Sequence, residues 1–297
     1  MLDGVIVINK EENITSQGVV NRVKRLLGVK KAGHTGTLDP MATGVLPVLV
    51  GRGVKASEYM ISSKKHYRAT ILLGMTTDTE DITGEVLSTS DKIPSEDEVL
   101  QAAHSFIGEY MQTPPMYSAL KVGGRKLCDL ARRGEVVERA ARKIQIFSLI
   151  AERICEREYS LDVVCSSGTY IRTLCADIGK KLNTGGVMKT LCRLEASVFE
   201  LSDTIMLGEL EAMSENERAA TVIPIERVFA KYPEVKLPPF FEKLARSGLE
   251  IYLSKIGCSQ KTGERVRLFG EGGFFALGEV REYEAGPAIK PIKQFDV

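Results

Sequence analysis

Gly33 to Pro47, reading GHTGTLDPMATGVLP, is the stretch that most restricts the fold, because within it the chain must leave regular structure and return. Gly33 and Gly36 relax φ and Pro40 removes a donor. The residue before a proline is held extended, so Asp39 is presented from a stiff, non-helical loop. Val45 to Val50 then forms a short apolar run between Gly44 and Gly51, which suits a buried strand that anchors the loop. A lone carboxylate on a polar loop carried by a rigid scaffold is a common setting for catalysis. On spacing alone a second reading stands beside it: Asp-Pro also starts turns, and Asp39 could simply cap one.

Around that stretch the periodicity describes an α/β mixture. Gly4 to Asn9 is a β-branched run expected as a buried strand, closed by Lys10. Thr15 or Ser16 caps a helix whose apolar positions Val19, Val20, Val23, Leu26 and Leu27 recur at three and four, ending at Gly28. Residues 52–63 are partly helical, His66 to Gly74 is a strand, and 75–93 hold a loop with a small hairpin. Ser95 with Glu98 is a capping box opening a helix to about Phe106. Gln112 to Lys121 is a stiff extended connection, followed by a Gly123-Gly124 turn and a short basic helix ending at Gly134. Residues 142–154 and 158–166 pair as a hairpin, and Ser167 to Leu174 leaves it for a helix to about Leu182. Leu191 to Leu201 is a further strand, and 207–228 hold one or two helices broken by Pro224. From Tyr232 the texture turns to short glycine-rich strands, so residues 1–230 and 231–297 are expected as a large domain and a small, β-rich one.

Composition matters mainly for what it excludes. The six cysteines, at 128, 155, 165, 175, 192 and 258, stand singly with no C-x-x-C pair, and there are three histidines, so neither a disulfide framework nor a zinc site is supported. Met1-Leu2-Asp3-Gly4 runs into an apolar segment too short for export or spanning; the expectation is a cytoplasmic protein without membrane contact. Net charge is +1, yet residues 1–68 carry eleven Lys/Arg against five Asp/Glu. Residues 69–117 carry one Lys against nine acids, and 118–143 eight bases against three acids. Such blocks place a basic face beside the Asp39 loop and an acidic one elsewhere, as phosphate-backbone binding requires; charges that merely cover solvent are the plainer alternative.

Two further side chains are candidates for chemistry. Tyr67 begins a strand after Lys64-Lys65 and could stack on a nucleobase, or simply fill the core. Arg172, two residues after Tyr170, could pair with a buried carboxylate and hold it ionised by lowering its pKa, or lie solvated on its helix.

The Gly33–Pro47 run, Lys65-His66-Tyr67-Arg68, Met116-Tyr117-Ser118-Ala119-Leu120-Lys121 and Ser167-Gly168-Thr169-Tyr170-Ile171-Arg172-Thr173-Leu174 together resemble, in content and order, the bacterial tRNA pseudouridine synthase B family. The resemblance implies an α+β pseudouridine-synthase fold, with a mixed, mainly antiparallel sheet and flanking helices, plus a small PUA-like RNA-binding domain at the C-terminus. It implies isomerisation of the T-loop uridine of tRNA, position 55, and leaves room for a tRNA-folding role in addition. The partner is tRNA, through T-loop and T-stem, with no membrane and no obligate protein partner. Asp39 becomes the catalytic carboxylate, Arg172 its ionic partner, Tyr67 the ring stacked on the target uracil, and Tyr170 and Leu191 pocket-lining residues. His34 enters the space left by the flipped nucleotide. Breaking N1–C1′ and joining C5 to C1′ oxidises and hydrolyses nothing, so no cofactor or metal is required; Asp39 acts as nucleophile or as base on the sugar. The chain departs from the family pattern at Ser167, where lysine is frequent, at Gly186-Val187, for alanine-histidine, and at Cys192, for arginine.

Overall fold

A computed structural model describes residues 2–295. In chain order its larger unit contains β1 (Gly4–Lys10), α1 (Ser16–Leu26), β2 (Ala32–His34), β3 (Thr43–Val50), α2 (Ser57–Ile61) and β4 (Lys65–Leu73). The hairpin β5 (Met75–Thr77) and β6 (Val86–Thr89), α3 (Glu96–His104) and β7 (Gly108–Gln112) follow, then the small hairpin β8 (Lys121–Val122) and β9 (Arg125–Lys126) with α4 (Leu127–Ala131). β10 (Arg142–Arg153), β11 (Glu158–Cys165), α5 (Ile171–Lys181), β12 (Gly186–Ala196), β13 (Phe199–Glu200), β14 (Ile205–Met206), α6 (Leu207–Ala212) and α7 (Glu215–Ala220) complete it. Ten strands form one sheet whose path is β14-β1-β3-β12-β4-β11-β10-β7, with β2 on β3 and β13 on β12. β1–β14 and β12–β3 are parallel and the remaining pairs antiparallel.

The continuous apolar run of β1 has a direct cause: the strand is covered on both faces. Ile6 and Ile8 join the main core with Val19, Val20 and Val23 of α1, whereas Val5 and Val7 join a second core with Phe229, Leu277 and Phe295. β3 is split in the same way, Leu46 and Val48 to one side and Val45 and Leu49 to the other. Burying one such side chain is worth roughly 2 kcal/mol, so the strand behind the Asp39 loop is anchored from two directions.

A five-stranded sheet follows, built from β15 (Glu234–Lys236), β16 (Ile251–Tyr252), β17 (Arg265–Gly270), β18 (Gly273–Tyr283) and β19 (Gly286–Gln294) in the order β15-β17-β18-β19-β16. It also carries a helix, α8 (Pro239–Arg246), which the glycine-rich texture does not announce. Among the described residues no helix is long and apolar enough to cross a membrane.

Three boundaries differ from expectation. β12 runs from Gly186 to Ala196 rather than from Leu191 to Leu201, with β13 a separate short strand after it. Gly185 makes the turn at φ +74°, and a side chain on Gly186 would meet Cys175 O at 2.8 Å, so the strand starts in close contact with α5. Residues 108–112, of which only Gln112 falls in the expected connection and the rest carry no expectation, pair with β10 as the edge strand β7. His34 lies in β2, opposite Val48, so the loop proper begins one residue after it.

Candidate active site

The Asp39 loop is held from both sides. Ahead of Asp39, Ser16 at the start of α1 accepts from Leu38 N at 2.8 Å and donates to Leu38 O at 3.1 Å. Behind it, Lys10 Nζ donates to Pro40 O at 3.0 Å and to Ala42 O, and Pro40 O also accepts from Asn13 N at 2.9 Å. Ala42 N donates to Asp39 O at 3.0 Å, so Asp39 does start a turn. The turn reading holds for its backbone, while its side chain does something else.

Arg172, in the first turn of α5 and 4% exposed, grips that side chain. Its Nε meets Asp39 Oδ2 at 2.9 Å and its Nη2 donates to Asp39 Oδ1 at 3.0 Å, a bidentate fork. The other donors go to Tyr117 O at 2.8 Å, Thr79 O at 3.0 Å and Asp81 Oδ2 at 3.4 Å. The four N–H groups of Nη1 and Nη2 are all matched to acceptors, and Nε lies at ion-pair distance from Asp39, so Arg172 cannot turn away from Asp39 without leaving a buried donor unpaired.

Asp81 is itself pinned: Oδ1 accepts from Thr79 Oγ1 at 2.8 Å, Thr83 N at 3.0 Å and Thr83 Oγ1 at 2.6 Å. The turn that carries it is fastened to β12 by Ile82 N donating to Met188 O at 3.0 Å. The charge blocks predict an acidic face away from the Asp39 loop; instead part of that block packs onto Arg172 as a second counter-charge. Next to it Glu80 accepts from Thr173 Oγ1 of α5, and burial raises its pKa.

Burial pushes the Asp39 carboxyl above the usual carboxylate value; Arg172 pulls it down and the Asp81 charge pushes it up again. The expectation that Arg172 lowers this pKa is right for its own contribution, but desolvation is larger. The fork nevertheless favours the ionised form that a nucleophile or base requires.

Tyr67 is 7% exposed on β4, packed in the main core with Leu191 and opposite Arg193 in the β4–β12 register. Burial pushes its phenol up, and the Asp39 charge adds to the rise. Tyr170 immediately precedes α5, held by Gln112 Oε1 accepting from its N at 2.8 Å and Gln112 Nε2 donating to its O at 3.0 Å. Its phenol is likewise raised, burial first, with Asp39 contributing. The structure thus brings Asp39 and Arg172 into contact, sets the Tyr67 and Tyr170 phenols within reach of the Asp39 charge, and packs Leu191 in the same core as Tyr67. His34 is different: it lines an open cavity together with residues of α1 and β2. Burial and the Arg193 charge lower its pKa.

Arg193 escapes a reading of the sequence alone. It is 1% exposed and donates from Nε to Val45 O at 2.8 Å and from Nη2 to Gly36 O at 3.2 Å, tying both ends of the loop to β12. Gly44, at φ +99°, passes so close to Arg193 that a side chain would meet its O at 2.2 Å. A signal exists: strand alternation puts Arg193 on the face of Leu191, and a buried arginine must find acceptors.

The N-terminal-domain model of the TruB family of pseudouridylate synthases matches residues 24–171, and the tRNA pseudouridylate synthase B C-terminal-domain model matches 172–230. The chain is 43% identical over 295 residues to the tRNA pseudouridine synthase B of Clostridium kluyveri, covering 99% of this chain and 100% of the relative. It is 41% identical over 282 residues to that of Alkaliphilus oremlandii, covering 94% of each. Among solved structures it resembles a chain from a Cbf5-Nop10-Gar1 complex, with TM-score 0.73, 25% identity, and coverage of 99% of this chain and 85% of that one.

Proposed function

The chain belongs to the TruB family of pseudouridylate synthases, and from that premise we propose that it acts on the T-loop uridine of tRNA at position 55, with Asp39 as the reacting carboxylate. It is an isomerase that turns uridine into pseudouridine in tRNA. The reaction cleaves the N1–C1′ bond, turns the uracil and joins C5 to C1′, with no net oxidation or hydrolysis.

The observation that carries the assignment of Asp39 is its two-point pairing with the buried Arg172, which favours the ionised carboxylate against the opposing effect of burial and fixes its direction. Tyr67 stacks on the uracil, while Tyr170 and Leu191 wall the pocket and limit water at the intermediate. The base leaves its stack at a cost of about a few kcal/mol, which stacking on an aromatic ring offsets. The five-stranded unit, with a boundary near residue 230, serves as an RNA-binding domain, and the protein works in the cytoplasm on tRNA without an obligate protein partner.

The test is positional. An unmodified tRNA transcript incubated with the protein should gain one pseudouridine, mapped to position 55 of the T-loop, and a transcript with cytidine there should gain none. Pseudouridine elsewhere, with position 55 unmodified, would move the target and overturn the proposal.

A further inference from the structure

Beside β2, just ahead of the Asp39 loop in the chain, lies an open cavity of about 580 Å³ whose lining includes Lys24, Lys30, Lys31, Gly33, His34 and Leu49. Lys24 comes from the last turn of α1, Lys30 and Lys31 from the connection into β2, and Gly33 and His34 from β2 itself. Among the described residues none of these three lysines has an ion pair or a side-chain hydrogen bond. Lysines elsewhere do find carboxylates: Lys143 meets Glu109 at 2.7 Å, Lys189 meets Glu158 at 2.6 Å and Lys293 meets Glu58 at 2.7 Å. Three like charges left together raise the free energy of the empty protein, and a polyanion relieves that repulsion.

Two observations of another kind point the same way. His34 Nδ1 is buried without a hydrogen-bond partner, an exception among native polar groups that calls for a missing one. Gly33 has no reason within the fold to be glycine: its φ lies outside the left-handed region, and a Cβ there would meet nothing within 4 Å. A strand position with room for a side chain and no conformational demand suits glycine when something outside the protein passes close to the backbone.

We infer that this cavity is the track of the substrate RNA's sugar-phosphate backbone beside the target nucleotide. Lys24, Lys30 and Lys31 neutralise successive phosphates, and Gly33 lets the strand lie against β2. Lysines suit that role because a phosphate track is read by charge and not by base identity. The cavity reaches His34, the last residue of β2 before the Asp39 loop, so an RNA strand held here passes beside the loop that carries the carboxylate. This inference rests on the tRNA reading above.

The experiment measures tRNA binding against salt concentration for the wild-type protein and two variants. The triple variant Lys24→Gln, Lys30→Gln, Lys31→Gln should flatten the slope of log affinity against log salt by about two units, at roughly 0.7–0.9 for each phosphate that is no longer neutralised. Its affinity at low salt should fall at least about tenfold. Gly33→Val should weaken binding with the slope kept, because it obstructs the strand without removing charge; its thermal midpoint, measured alongside, should match wild type. A triple variant with wild-type affinity and slope overturns the track. So does a flattened slope accompanied by tight binding of inorganic phosphate that tRNA does not displace, which would make the cavity a small-anion site. A wild-type protein that neither binds nor modifies the transcript fails the functional reading itself, a result distinct from both.

Discussion

The surroundings of Asp39 and those of β2, the strand that leads into its loop, obey opposite rules. Toward α5, both terminal nitrogens of Arg172 have their acceptors, Asp81 is held by two threonines, and the group is fixed before any substrate arrives. Toward β2, three lysines and a buried histidine nitrogen have no partner within the described protein. Preorganised charge favours chemistry because nothing has to reorient when charge develops. Unpaired charge favours capture because the ligand supplies the missing partners. The loop joins these two environments across a handful of residues, and changes on the α5 side should affect turnover while changes on the β2 side should affect affinity.

The largest expected effect lies on the α5 side. Asp39→Asn keeps the shape of the side chain and removes its charge, so pseudouridine formation should fall by at least about a thousandfold while tRNA affinity stays within about tenfold. Single-turnover tritium release from [5-³H]uridine-labelled tRNA measures the first and filter binding the second. Retained turnover would break the assignment of Asp39, and a parallel collapse of affinity would break the division between the two sides.

Next comes Arg172→Lys. A point charge cannot reproduce the fork or serve Thr79 O and Tyr117 O together, so kcat should fall about a hundredfold with a smaller change in KM. Equal losses in kcat and affinity would mean that Arg172 holds RNA rather than Asp39. Asp81→Asn should be milder, about tenfold in kcat/KM, because its contact with Arg172 is 3.4 Å against 2.9 Å and 3.0 Å for Asp39. It also carries a sign that Arg172→Lys lacks. Since the Asp81 charge raises the Asp39 pKa, its removal should move the acidic limb of the pH–rate profile to lower pH. A limb that stays put or moves up would remove Asp81 from the electrostatics of the site.

How far the sequence shows this division depends on the range of the interactions. Asp39 is legible because Asp-Pro between glycines is a local backbone statement, and β1 and β3 because their apolar runs state burial on two faces. Arg172 can be suspected from its place just inside a helix, but its acceptors at Thr79, Asp81 and Tyr117 come from a hairpin and a connection remote in sequence. No spacing rule announces that convergence, and for the same reason the acidic block reads as lying away from the site it borders. β7 is hidden because Gly108 to Gln112 is short, and the one residue of its five that is buried, Gln112, is polar. Lys10 reads as a strand's polar end, since nothing local says that its amine turns inward to carbonyls across the loop.

Lys10 gives the smallest effect and separates a buried lysine from the open ones across the loop. It is fully buried, and desolvation pushes its pKa down to about 8 despite the attraction of Asp39. Below about pH 8 both folded and unfolded chains hold this proton, and the penalty of burying the charge is constant. Between about 8 and the unfolded value of 10.5 the unfolded chain binds more protons than the fold, so this contribution makes stability rise with pH and levels off above that window. Buried groups such as Tyr67 and Cys175, whose pKa values are raised, pull stability down at alkaline pH, and Lys65, also pushed down to about 8, adds to the rise. All of these remain in Lys10→Met and cancel in the comparison. Urea unfolding at pH 8 and pH 10 should therefore show the stability of wild type minus that of Lys10→Met increasing with pH. A flat difference would mean that Lys10 Nζ reaches solvent, and the loop would then lack the inward tether that distinguishes its α5 side.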